Sequence, residues 1–273
     1  AGEPVGDADL VLVGVGSFTV AGHAGADRLS VAGGDGTGSA IPSIPVNGGP
    51  GNDTLAGAAG GSALDGGDGT DTVDYSATGQ VILADLSLGI GQPLGGLLDT
   101  LSAIENLVGS PGDDVLTGDA GANVLFGGAG SDTLDGHKGD DTLDGGTGRD
   151  TAAFGHASKS VSVSLKDGTA TGSGADTLTS IENATGSDFA DLILGSSGPN
   201  VLKGGEGKDE IRGQSGRDEV IGGIGNDLLF GGADRDILDG GRGKDQLDGG
   251  EGKDLCDPGP DPDAWTSCEK VNL

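Results

Sequence analysis

A nine-residue period constrains this chain more than any other feature. From Gly204 to Asp257 the sequence reads as consecutive nonapeptides without a gap: GGEGKDEIR, GQSGRDEVI, GGIGNDLLF, GGADRDILD, GGRGKDQLD and GGEGKDLCD. Two looser units, starting at Gly186 and Gly195, precede them in the same frame. A repeat of this length predicts a solenoid, in which each unit buries its apolar residues against its neighbours.

Two further runs share the pattern. Five units fill residues 109–153, and three weaker units fill residues 48–74, where Ser62 replaces the usual acid of the middle unit. An isolated unit begins at Gly22 and a more degenerate one at Gly33. The chain is therefore expected to be one interrupted solenoid rather than a set of independent domains.

The segments between the runs divide the chain into seven parts. The two spacers resemble each other, since one contains DTLSAIENLVGS and the other DTLTSIENATGS. The predicted order is an N-terminal cap with degenerate repeats (1–47), repeat run I (48–74), a spacer (75–108), repeat run II (109–153), a spacer (154–185), repeat run III (186–257) and a C-terminal cap (258–273).

The composition is compatible with a fold only because the repeat is strict. Glycine and proline account for 60 and 10 of the 273 residues, and aromatic residues for 3%, so any core must be thin. The last three residues of each unit fit a short strand whose middle residue points inward. The expected core ladders are Leu116, Leu125, Leu134 and Leu143, then Ile193, Leu202, Ile211, Val220, Leu229, Leu238 and Leu247.

Charge narrows the range of partners. A formal net charge of −30 argues against nucleic acid, which requires clustered Lys and Arg. No run of about twenty apolar residues exists, so no membrane span is expected. Cations or cationic surfaces fit this charge better, and no particular protein or cell-surface partner is indicated.

An acid or amide recurs at the sixth position of nearly every unit. Carboxylate and carbonyl oxygens are the ligands that Ca²⁺ prefers, whereas a turn-forming role for Asp and Asn is the alternative. The amides bring no charge, so weaker sites are expected there. The candidate ligands are Asp53, Asp71, Asp114, Asn123, Asp132, Asp141, Asp150, Asp191, Asn200, Asp209, Asp218, Asp227, Asp236, Asp245 and Asp254.

The units match GGxGxDxUx, in which U is a large aliphatic residue, and so resemble the RTX or hemolysin-type calcium-binding repeat. This resemblance implies a right-handed parallel β-roll, with two nonapeptides in each turn and Ca²⁺ between turns. On that arrangement the three runs could hold on the order of ten ions. The expected fold class is thus all-β, a β-solenoid with two spacers.

The C-terminal tail contains one of the only two cysteines. Cys256 takes the inward position of the last repeat, and Cys268 aligns with the inward Ile181 of a spacer. We expect a Cys256–Cys268 disulfide that closes the end of the solenoid; two buried free thiols are the alternative. Trp265 is expected to cover the same end.

No catalytic constellation is evident. His23, His137 and His156 are scattered along the sequence, so neither a zinc site nor a catalytic base is expected. The predicted function is that of a non-enzymatic, secreted protein whose folding is coupled to extracellular Ca²⁺. The alternative is the C-terminal calcium-binding region of a larger secreted enzyme, toxin or adhesin.

Overall fold

The chain forms a parallel β-solenoid of about 12 turns. The computed structural model describes residues 20–29, 45–57, 60–261 and 263–270, and these contain strands and turns but no helix. No helix able to cross a membrane therefore occurs within these ranges. The predicted all-β class and solenoid are confirmed. Within the N-terminal cap predicted for residues 1–47, only residues 20–29 and 45–47 belong to the described part of the chain.

Two sheets form opposite walls of the solenoid. Sheet 1 has 15 strands, in spatial order β1 (Val20–Ala21), β3 (Pro45–Pro50), β5 (Ala63–Asp68), β9 (Asp99–Ser102), β8 (Ile90–Pro93), β7 (Ile82–Asp85), β11 (Val115–Thr117), β13 (Thr133–Asp135), β15 (Thr151–Ala153), β19 (Asn183–Thr185), β21 (Val201–Gly207), β23 (Glu219–Gly225), β25 (Ile237–Arg242), β27 (Asp254–Asp257) and β29 (Cys268–Lys270).

Sheet 2 has 14 strands and alternates with sheet 1 along the chain. Its spatial order is β2 (Arg28–Leu29), β4 (Thr54–Ala56), β6 (Thr72–Asp74), β10 (Asn106–Val108), β12 (Val124–Gly130), β14 (Thr142–Gly148), β18 (Ala175–Thr179), β17 (Thr169–Thr171), β16 (Ser162–Ser164), β20 (Leu192–Leu194), β22 (Glu210–Ser215), β24 (Leu228–Ala233), β26 (Gln246–Glu251) and β28 (Ala264–Thr266).

Strand pairing repeats every 18 residues, which is two nonapeptides. Leu202 pairs with Val220 and Val220 with Leu238 in sheet 1, while Ile211 pairs with Leu229 in sheet 2. Each inward residue therefore stacks on its counterpart in the next turn. Every residue of the predicted core ladders is buried, with no more than 2% of its surface exposed.

The two spacers insert extra strands into one sheet each without interrupting the solenoid. Spacer 75–108 adds an antiparallel meander, β7 to β9, to sheet 1. Spacer 154–185 adds the corresponding meander, β16 to β18, to sheet 2. The similar sequences thus build similar hairpins on opposite walls. The reason is that run II has five units, an odd number, and successive units alternate between the sheets.

The C-terminal end is closed by the predicted disulfide. Cys256 and Cys268 are bonded, with Cα atoms 5.8 Å apart. Cys256 is fully buried, and the half-buried Cys268 packs against the core. Trp265 pairs with Leu247 and so takes the next place in a core ladder. It keeps 40% of its surface exposed, as a residue at the end of a stack would.

We expect Leu229→Ala to lower the free energy of unfolding by about 2–5 kcal/mol, because it removes buried methyl groups from a ladder that cannot collapse around the gap. Urea unfolding at saturating calcium would measure it. Ile224→Ala is the control: its side chain is 49% exposed, so a change within about 0.5 kcal/mol is expected. Equal losses in the two variants would contradict the buried ladder.

Candidate metal centre

The sixth-position residues form two continuous rows along the solenoid. In run III the backbone N–H of Asp209 donates to Asp227 Oδ1, and that of Asp227 donates to Asp245 Oδ1, both at 2.9 Å. The same bond links Asp218 to Asp236 and Asp236 to Asp254 on the other side. Each residue therefore fixes the carboxylate one turn, or 18 residues, further on.

The structure brings all fifteen predicted residues into these rows. Each has no more than 3% of its surface exposed. The row leading into sheet 2 contains Asp53, Asp71, Asn123, Asp141, Asp191, Asp209, Asp227 and Asp245; the row leading into sheet 1 contains Asp114, Asp132, Asp150, Asn200, Asp218, Asp236 and Asp254.

Six further acids occupy the rows and were missed from the sequence. The N–H of Asp71 donates to Glu105 and that of Asp150 to Glu182, so spacer residues continue the rows where repeats are interrupted. The signal was present, because the shared spacer motifs DTL and IEN contain four of these acids. The six are Asp27, Asp99, Glu105, Asp176, Glu182 and Asp263.

One carboxylate oxygen in most of these residues is buried without a hydrogen-bond partner. Burying an ionised oxygen with nothing to compensate its charge is costly. Such oxygens, arranged in rows, fit a site for cations. Within the described part of the chain they are the Oδ2 atoms of Asp53, Asp71, Asp132, Asp141, Asp150, Asp209, Asp218, Asp227, Asp236, Asp245, Asp254 and Asp263.

In most of these units a backbone carbonyl lies near the unpartnered oxygen, beside the first glycine of the unit. A Cβ placed on Gly222 would lie 2.5 Å from Asp227 Oδ2 and 2.7 Å from Gly240 O, one turn further on. The missing side chain thus leaves room that is lined by a carboxylate oxygen and a carbonyl oxygen. This mixed oxygen set suits Ca²⁺, which accepts both kinds of ligand.

Side chains alone do not make a metal cluster here. Among the described residues, no three His, Cys, Asp or Glu side chains come together as a metal-binding group. One of the two oxygens that face the space beside Gly222 belongs to the backbone instead. A tight turn is therefore as much a part of the site as its aspartate.

Comparison with known families agrees with this geometry. The model of the RTX calcium-binding nonapeptide repeat matches residues 47–77, 100–134, 117–152, 185–220 and 221–256, which together cover more than half of the chain. The chain belongs to the RTX calcium-binding nonapeptide repeat family. No curated protein matches the sequence.

Burial raises the pKa of many carboxylates in the two rows above the ordinary value of 3.8. Removal from water is the main cause, and neighbouring carboxylates of the rows add to it in most cases, while the backbone N–H that each oxygen accepts opposes it. The pKa rises to about 7 for Asp132, Asp141, Asp209 and Asp236, and to about 6 for Asp218 and Asp245.

The histidines are less scattered than the sequence suggested. The rings of His137 and His156 stack with their centroids 5.1 Å apart. His156 Nδ1 lies 2.7 Å from Asp135 Oδ2. The spacer folds back onto run II and brings together two residues that lie 19 positions apart, a contact that spacing along the sequence could not reveal.

The raised pKa values predict that acid stabilises the calcium-free fold. Folded carboxylates hold protons more tightly than unfolded ones, so the free energy of unfolding should rise as the pH falls from about 7 to about 4. The β signal in circular dichroism should therefore increase over this range, in protein decalcified on a chelating resin. A calcium-saturated sample is the control, and a β signal that falls on acidification would contradict the prediction.

Proposed function

We propose that this RTX protein is an extracellular calcium-binding module whose folding is coupled to Ca²⁺ held between solenoid turns by the sixth-position aspartates. The unpartnered Oδ2 atoms are the observation that carries the proposal. A neutral or cationic group must compensate them, and the described residues supply none at hydrogen-bond distance. Calcium is the cation that RTX repeats bind.

The energetics of a single unit support coupling between metal and fold. Each unit buries only about one large aliphatic side chain, whereas nine residues must be ordered at a cost in conformational entropy. The hydrogen bonds between turns offset part of this cost. An ion that links two turns through several oxygens would supply the rest, and would also relieve the repulsion within each row.

The disulfide supports the proposed location, and calcium affinity of the kind found in other extracellular modules would agree with it. Extracellular calcium modules bind in about the 10⁻⁴–10⁻³ M range, so such a chain would lack its ions inside a cell. The Cys256–Cys268 disulfide fits an oxidising compartment. Alkylation of the secreted protein before and after reduction would show whether both cysteines are bonded there.

We further propose that the module has no enzymatic activity. The acids that the rows bury are held by backbone N–H groups, and the serine hydroxyls beside Asp114 and Asp191 donate to the carboxylates as caps. Their role would be to hold ions and, through them, the turns. An activity found in the purified chain that survives removal of calcium would contradict this view.

We expect the decalcified chain at about pH 7.5 to show a coil spectrum in circular dichroism and to gain β signal as Ca²⁺ is added to about 10 mM. Mg²⁺ is the control cation, because it prefers near-ideal octahedral sites and sheds its water reluctantly. Equilibrium dialysis would count the bound ions, on the order of ten. A spectrum that is already β-rich without calcium and unmoved by it would contradict the coupling.

A further inference from the structure

The conformation of the second residue divides the nonapeptide units into two classes. In every unit whose sixth-position Asp has an unpartnered Oδ2, the second residue has a positive φ. We call these open units. Gly223, with φ of 110°, precedes Asp227 in one of them. The second residues of the twelve open units are Gly49, Gly67, Gly128, His137, Gly146, Gly205, Gln214, Gly223, Gly232, Gly241, Gly250 and Gly259.

In five other units of the described residues the second residue caps the sixth-position side chain itself. Its φ is not positive, and its backbone N–H donates to the sixth-position side chain of the same unit. We call these closed units. The donor and acceptor pairs are His23 and Asp27, Ser110 and Asp114, Asp119 and Asn123, Ser187 and Asp191, and Ser196 and Asn200.

The orientation of one peptide explains the difference. When the peptide between the first two residues of a unit flips, its N–H and its C=O exchange directions, so that the other group faces the sixth-position side chain. The φ of the second residue changes sign with this flip, as it does between type I and type II turns. In closed units the N–H faces the carboxylate. A cation placed there would meet the positive end of that bond. The oxygen is already satisfied, so the need for an ion is absent.

Side chains complete the closed units. Ser110 Oγ donates to Asp114 Oδ1 at 2.9 Å. Asn123 Nδ2 donates to the carbonyl of Glu105, one turn earlier, at 2.8 Å, and Asn200 makes the equivalent bond to Glu182. The amide thus links two turns directly, as an ion would do in an open unit.

The distribution of Asn among the units supports this reading. Asn123 and Asn200 both follow second residues whose φ is not positive, whereas every described unit with a positive φ at its second residue has Asp at the sixth position. A neutral amide suffices where an N–H satisfies the oxygen, and a full charge is kept where none does. Apart from the unit at Gly22, the closed units are the first two of runs II and III, so one complete turn follows each spacer.

The unit that begins at Gly57 lacks an ion-binding carboxylate for another reason. Where Ser62 replaces the acid, the side chain of Tyr75 fills the space beside Gly57, whose Cβ would lie 2.0 Å from Tyr75 Cε1. The Tyr75 hydroxyl donates to Asp99 Oδ2 at 3.0 Å, and the N–H of Ser62 donates to Asp99 Oδ1. Both oxygens of this buried carboxylate accept bonds from the protein.

Comparison with the second spacer shows that the first spacer leaves room for the Tyr75 hydroxyl. Phe154 takes the place of Tyr75 there, and Ala170 takes the place of Gly91. A Cβ on Gly91 would lie 1.9 Å from the Tyr75 hydroxyl oxygen. The tyrosine and the glycine therefore occur together in one spacer, and the phenylalanine and the alanine in the other.

We infer that the turns 109–126 and 186–203 hold their sixth-position residues by hydrogen bonds instead of calcium, and that the second residue of each unit decides whether it binds an ion. The inference rests on the proposed binding of Ca²⁺ between turns. Each spacer and the turn after it form a metal-independent start, on which the calcium-dependent units stack. Asp114, Asn123, Asp191 and Asn200 are then structural residues rather than ligands.

Ser110→Gly is the sharpest test. It changes GSPGDD into GGPGDD, which differs at one position from GGPGND, the start of the open unit at Gly48. The glycine permits the positive φ and removes the capping hydroxyl. We expect this variant to bind one more Ca²⁺ per chain than the wild type, counted by equilibrium dialysis and metal analysis at saturating calcium, with circular dichroism to verify the fold.

Two matched substitutions provide the comparison. Asp191→Asn makes the change in a closed unit, where the two carboxylate oxygens accept backbone N–H bonds from Val161 and Ser187, and should leave the number of bound ions unchanged. Circular dichroism would verify that the fold survives the loss of one of these bonds. Asp227→Asn makes the same change in an open unit and should remove at least one ion.

No gain of an ion by Ser110→Gly, or equal losses by the two Asn variants, would overturn the inference while leaving the proposed function intact. A wild-type chain that binds no calcium would overturn both.

Discussion

The backbone N–H of nearly every sixth-position residue donates to the carboxylate one turn further on, and this bond uses only one of the two carboxylate oxygens. The rest of the structure depends on what happens to the other oxygen. It is buried, and its neighbours within the row carry the same charge. The ladder of hydrogen bonds sets the spacing of the turns and at the same time creates the need for a cation.

The solenoid was accessible from the sequence because its period is strict. Leu229 and Leu238 are inward for the same local reason, namely the middle place in a three-residue strand, so one unit predicts all of them. The Cys256–Cys268 pair followed from the same frame. The fifteen sixth-position residues could be placed on the solenoid edges, although their role as ligands stays a prediction.

Other parts of the site could not be reached in this way. Glu105 and Glu182 enter the rows because each meander ends where the next solenoid turn begins. The number of residues in a meander does not follow from the nine-residue period, so the position of these two acids could not be predicted. The capping of Asp114 and Asp191 depends on the orientation of a single peptide. Serine replaces glycine at the second position of these two units, but this replacement can be related to the peptide orientation only when the structure of the turn is known. The stacking of His137 on His156 likewise requires the path of the spacer.

The alternation of units between two walls has a consequence for how such a chain can change in length. Loss or gain of two units shortens or extends the solenoid and leaves each later segment on its original wall. Loss or gain of one unit moves every later segment to the opposite wall, including the hairpin of spacer 154–185 and the side chains that it displays. The surface of the protein thus depends on whether the number of units is even or odd, so length can vary freely only in steps of 18 residues.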